Sequence, residues 1–94
     1  RHSSSLSTRF AEGFEAKKFA AKLWGNVYLQ SNRTFRASLK QVGALVARID
    51  TLCSELCASR AHSDQKRTFV QFILEPLYKI YRQACTACAS LPSL

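Results

Sequence analysis

The sequence predicts a mainly α fold carrying one small β-hairpin, in the order helix, hairpin, helix, long kinked helix. Three observations predict it. Apolar residues recur at intervals close to three and four over positions 8–24, 38–61 and 65–89, the period of a helix that buries one stripe. Two β-prone runs flank a short polar turn between positions 27 and 36, the pattern of a hairpin. Pro76 stands inside an apolar pattern that continues on both sides of it, which favours a kinked helix or two abutting ones over a loop.

The first helix, over 8–24, rests on a stripe of Phe10, Phe14, Phe19, Ala20 and Leu23. Ser7 or Thr8 is its expected N-cap, with Glu12 in the first turn and Gly25 as the stop signal. Val27-Tyr28-Leu29-Gln30 and Arg33-Thr34-Phe35-Arg36 around Ser31-Asn32 form the expected hairpin, which needs a helix to pack on. The clearest amphipathic helix spans 38–61, with Leu39, Val42, Leu45, Val46, Ile49, Leu52, Cys53, Leu56 and Cys57 on its apolar stripe. Ser38 is its expected cap, and Gly43 weakens it by roughly 1 kcal/mol relative to Ala. Ser63 or Asp64 then caps a final helix over 65–89. Its apolar residues, from Phe69 through Tyr81, are too dense for one stripe and call for cover on more than one side.

A chain of 94 residues makes one domain at most, and at that size only about 60–65% of the unfolded surface is buried, so the core is marginal without a partner. The chain opens on Arg1-His2-Ser3 without Met and stops at Leu91-Pro92-Ser93-Leu94 within an apolar pattern, so we expect a segment of something larger. Fourteen Lys and Arg against six Asp and Glu give a net charge of +8, which favours a polyanion such as RNA. The densest basic groups are Lys17-Lys18 with Lys22, Arg33 with Arg36, and Lys66-Arg67. These are the candidate RNA or partner contacts, although ordinary solvated helix faces would look the same. No apolar run is long enough to cross a membrane and no signal-peptide layout is present, so the chain is expected to be soluble, with reduced thiols and no membrane partner.

No catalytic, cofactor-binding or metal-binding residue stands out. The three glycines, Gly13, Gly25 and Gly43, are too far apart to cradle a phosphate, and no phosphate loop is present. His2 and His62 lack the carboxylate and nucleophile pattern of a triad. Cys53/Cys57 and Cys85/Cys88 invite a zinc reading, but the first pair lies on an apolar stripe where cysteine serves as a small hydrophobe. A disulfide within either pair would be strained in a continuous helix. Glu75, set in Leu74-Glu75-Pro76-Leu77, stands out among the acids, with an ion pair or hydrogen bond as its ordinary explanation.

Two stretches in order carry a family resemblance: Phe19-Ala20-Ala21-Lys22-Leu23-Trp24-Gly25-Asn26-Val27-Tyr28 and Arg67-Thr68-Phe69-Val70-Gln71-Phe72-Ile73-Leu74-Glu75-Pro76-Leu77-Tyr78-Lys79-Ile80. Together they resemble the GTPase-domain insert of elongation factor 2 and its relatives. In that family a helix ends in Leu-Trp-Gly-Asp, a hairpin follows, and a long helix opens with Arg-Thr/Ser-Phe and carries Ile-Leu-Asp/Glu-Pro. Glu75-Pro76-Leu77-Tyr78-Lys79-Ile80 and Ser90-Leu91-Pro92 look like the spliceosomal U5 small nuclear ribonucleoprotein branch. Asn26 departs from the usual acidic residue, and 38–66 replaces a short polar loop.

The resemblance implies a parent that binds GTP with magnesium in the nucleus and meets a large U5 scaffold protein, other spliceosomal proteins and U5 small nuclear RNA. It implies no nucleotide-binding residue in this chain, whose Trp24, Phe69, Phe72, Leu77 and Tyr78 would be packing and interaction anchors. The competing readings are the insert of a cytoplasmic translation or ribosome-assembly GTPase, a freestanding basic RNA-binding helical domain, and a zinc-stabilised domain on the four cysteines.

Overall fold

The computed structural model describes residues 5–61 and 63–91. Helix α1 spans Leu6–Gly25, α2 spans Asn32–Ala58, α3 spans Ser63–Phe69, a π-helical turn covers Val70–Leu74, and α4 spans Glu75–Ala89. The last three form one helical arm, and α1, α2 and this arm pack up, down and up. Arg9 near the start of α1 reaches Leu52 and Glu55 near the end of α2, while Gly43 of α2 faces Tyr81 of α4. The bundle measures 48 × 25 × 17 Å.

The mainly α expectation holds, but no strand forms among the described residues. The hairpin expected at 27–36 is replaced by a turn and the first turns of α2, which therefore starts at Asn32 instead of Ser38. Two effects, one local and one tertiary, overrule the β propensity. Ser31 caps the helix, its Oγ accepting from the Thr34 N–H at 3.1 Å. The spacing Phe35, Leu39, Val42, Val46, Ile49, Cys53, Leu56 is an unbroken alternation of four and three, so extending the helix buries Phe35 to 1% exposure. A two-stranded hairpin would have gained only a few hydrogen bonds.

In α1 the cap is Ser5, whose Oγ accepts from the Thr8 N–H at 3.1 Å, and Glu12 lies beyond the first turn. At the other end the Asn26 side-chain Nδ2–H donates to the Lys22 carbonyl at 3.0 Å, satisfying a helix-terminal acceptor that a carboxylate could not. The buried stripe also differs from the expected one. It is Arg9, Gly13, Ala16, Ala20 and Leu23, again spaced four and three, whereas Phe14 and Phe19 are partly exposed. Small residues on the seam let the backbones approach closely, and phenylalanines at that seam would force them apart. Gly13 is the tightest of the three glycines: a Cβ there would lie 2.6 Å from Ile73 Cγ2.

The final arm starts at Ser63, so Ser63 and Asp64, expected as its cap, lie in its first turn. His2, His62 and Pro92 fall outside the described residues. The apolar pattern passes through Pro76 as expected, but the accommodation is a π turn. Phe69, Ile73 and Leu77 are all fully buried at spacings of four and four, one residue more than a heptad allows, and the wider turn absorbs the extra residue. Pro76 has no N–H for the Phe72 carbonyl four residues earlier. The Lys17 ammonium donates to that carbonyl from α1. Phe69, Ile73, Leu77 and Ala84 fill the space between α1 and α2, which covers the arm on two sides.

Candidate interaction surface

The side chains singled out from the sequence do not form one site. Phe69 and Leu77 are wholly buried, while Trp24 and Tyr78 are half-buried. Tyr78 donates a hydrogen bond to Asp50 on α2; burial first and this bond second hold its hydroxyl above its ordinary pKa. Phe72, expected as a packing anchor, is 53% exposed and within this chain belongs to the surface. The π turn keeps Phe69, Ile73 and Leu77 inward and turns Phe72 out.

An aromatic edge lies between α1 and the final arm, on which Phe72 is linked to α1 through its backbone carbonyl. Phe69 meets Phe10 edge-on with centroids 5.4 Å apart, and Phe10 meets Phe14 at 6.3 Å. Phe14 is 47% exposed, and the Lys17 ammonium sits 5.6 Å from its ring centroid while it donates to the Phe72 carbonyl. An aromatic ladder of Phe69, Phe10 and Phe14 thus climbs from the core to an exposed ring, and Lys17 joins that ring to the backbone of Phe72. Such rings carry most of their binding value when a partner covers them.

On the other side of α1, an open groove of about 480 Å³ runs against α2, with Ala16, Phe19, Leu45 and Ile49 as its apolar lining. Its rim holds a two-pronged ion pair, Arg48 Nε and Nη2 donating to Glu12 Oε1 and Oε2 at 3.1 and 3.2 Å. That hydrogen bond, with the carboxylate charge, raises the already high Arg48 pKa. At the α1–α2 turn, Tyr28 and Leu29 stand 95% and 82% exposed.

The basic groups separate. Lys66, which donates to the Ser59 carbonyl, and Arg67 lie at one end of the bundle, and Lys22, Arg33 and Arg36 at the other. Lys18 pairs with Glu15 at 3.4 Å. Sequence reasoning missed Arg9, which is 5% exposed and donates from Nη1 to the Leu52 carbonyl at 2.8 Å and to Glu55 at 3.1 Å. Its position four residues before Gly13 on the seam was the available signal.

The cysteines do not converge. Cys53 and Cys57 face each other at 4.0 Å along α2, while Cys85 and Cys88 are on α4. Among the described residues no three His, Cys, Asp or Glu side chains gather as metal ligands. Burial first, then the Cys57 thiol, pushes the Cys53 pKa up to about 11, which suits a packing thiol better than a thiolate ligand. Among the described residues no helix is long and apolar enough to cross a membrane.

The described residues form an antiparallel three-helix bundle that leaves aromatic rings exposed on two faces and at one tip. The chain is similar to the 110 kDa U5 small nuclear ribonucleoprotein component CLO of Arabidopsis thaliana, 40% identical over 70 residues, which is 73% of this chain and 5% of that protein. It is 39% identical over 70 residues to the 109 kDa U5 small nuclear ribonucleoprotein component GFL of the same plant, again 73% of this chain and 5% of that protein. The chain thus spans a small part of the relatives it matches. No family model matches, and no solved structure does.

Proposed function

We propose that this chain is a helical interaction segment of a U5 small nuclear ribonucleoprotein protein that acts in pre-mRNA splicing in the nucleus. The observation that carries the reading is the 40% identity over 70 residues to a protein named as a U5 component. The motifs at 19–28 and 67–80 support the further reading that the parent is an elongation-factor-2-like GTPase and that this segment is an insert of its GTPase domain. In that reading GTP and magnesium bind elsewhere in the parent, and this chain contributes no catalytic group. Its half-exposed Phe14 and Phe72 offer the apolar anchors with which it would meet the large U5 scaffold protein.

The test is recovery of the endogenous full-length protein from nuclear extract, with mass spectrometry of what comes with it. U5 RNA and spliceosomal proteins are the expected companions, and a Phe14→Asp/Phe72→Asp double variant should reduce recovery of the scaffold. Ribosomes in their place would move the protein to translation or ribosome assembly and overturn the splicing assignment.

A further inference from the structure

The cations that look scattered along the chain are sorted by the fold. Antiparallel packing brings residues 19–47 and 77–91 together in the half of the bundle that ends in the α1–α2 turn. This half carries six cations, Lys22, Arg33, Arg36, Lys40, Lys79 and Arg82, and no Asp or Glu. The rest of the described chain carries seven cations with all six acids, and several of those acids are committed to Arg9, Lys18 and Arg48. Nearly the whole of the net charge therefore resides at one end. Lys22, Arg33, Lys40, Lys79 and Arg82 are exposed there.

The same end interleaves rings with this charge. Tyr28 projects from the tip, 95% exposed. Half-buried Trp24 lines an open depression of about 570 Å³ between α1 and α4 together with Arg82, Gln83, Thr86 and Ala87. A fully exposed phenol ring is open to stacking, and an indole beside a guanidinium is a surface on which a flat ring can stack. Cations that track a backbone, with rings between them, are what a single strand of nucleic acid needs. A purely acidic peptide such as polyglutamate would use the charge and leave the rings idle.

We propose that this acid-free end binds single-stranded RNA, its phosphates on the five exposed cations and its bases on Tyr28 and in the Trp24–Arg82 depression. The inference rests on the ribonucleoprotein reading only for the choice of RNA as the nucleic acid. The charged end spans about half of the 48 Å axis, room for about four to six nucleotides at the site sizes typical of such surfaces.

The test is fluorescence anisotropy of a labelled oligouridylate of about 12 nucleotides against the chain across about 50–300 mM salt. Circular dichroism of each variant checks that the helices persist. Lys22→Glu/Arg33→Glu should weaken binding by roughly tenfold or more and reduce the salt slope by about 1.4, the share of two phosphate contacts on a single strand. Lys66→Glu/Arg67→Glu at the opposite end removes the same charge and should change affinity by less than about twofold. Tyr28→Ala, at a site with nothing to unfold, should cost about fivefold and leave the salt slope unchanged. No binding, or equal losses from the two charge-reversed pairs, overturns the proposal. A neutral Tyr28→Ala variant, combined with full displacement of the RNA by a polyglutamate peptide, overturns it in favour of an acidic protein partner. Recovery of U5 components by the full-length protein despite a negative RNA result would leave the splicing assignment standing and reject only this site.

Discussion

Gly13→Ala tests the tightest of the three glycine positions. The added methyl would lie 2.6 Å from Ile73 Cγ2 and 2.8 Å from its Cδ1, so Ile73 must move. Ile73 is fully buried between α1 and α2, and its β-branched Cγ2 cannot swing away as a flexible chain end would. Overpacking of this kind costs about 1–3 kcal/mol, and replacing Gly by Ala in a helix returns about 1 kcal/mol, so the net loss is about 1 kcal/mol. For a domain of this size that lowers Tm by about 4–8 °C. The assay is urea unfolding followed by circular dichroism, with two other glycines as internal standards. A Cβ at Gly25 meets nothing within 4 Å, so Gly25→Ala is expected to be neutral or stabilising. At Gly43 it meets the Tyr81 hydroxyl at 3.0 Å, a chain tip that can shift, so Gly43→Ala falls between the two. Gly13→Ala stabilising the chain as much as Gly25→Ala would refute the close-approach argument.

Three further outcomes are expected. Arg9→Ala should destabilise by about 1–3 kcal/mol, since a buried guanidinium and its hydrogen bonds are lost; Arg9→Met should cost less by filling the same volume. Glu55→Gln should cost under about 1 kcal/mol, because Glu55 is half exposed and its loss leaves the Leu52 carbonyl as a partner for Arg9. Denaturation midpoints of the three variants give that order, and Glu55→Gln proving the worst would contradict it. Stability should also fall at alkaline pH. The Cys53 thiol is raised from 9.0 to about 11 in the fold, so its contribution is complete below pH 9 and disappears as the pH climbs to about 11. Tyr78, raised by burial, and Tyr81, raised by its hydrogen bond with Cys85, act in the same direction. Cys53→Ala should flatten the decline, and Cys57, which is exposed, should be alkylated well before Cys53. Finally, Lys17→Met removes the donor to the Phe72 carbonyl and should cost about 0.5–1.5 kcal/mol. In a Pro76→Ala background, where the restored N–H can serve that carbonyl, the loss should shrink, and an unchanged loss in a double-mutant cycle would separate Lys17 from the proline.

The amphipathic run at 38–61 was legible because its stripe is large and apolar, and the final arm was legible through Pro76 for the same reason. The hairpin was misread because β-branched and aromatic residues at 27–36 speak for a strand locally. What overruled them is Phe35, whose place in the heptad pays off only once α1 and α4 are present to bury it. The stripe of α1 was misread for the complementary reason. Periodicity scales reward Phe10, Phe14 and Phe19, but a seam between close helices selects Gly13, Ala16 and Ala20, which carry little hydrophobic signal.

Length, heptad spacing and total charge are properties of the chain, and from them a helical, cation-rich segment follows without coordinates. The tertiary structure decided which faces meet, and with them the burial of Arg9, the outward turn of Phe72 and the gathering of six cations in one acid-free end. A local period says that a helix has a buried face, but the neighbour that buries it comes from residues 30 to 60 positions away, and only packing brings those together.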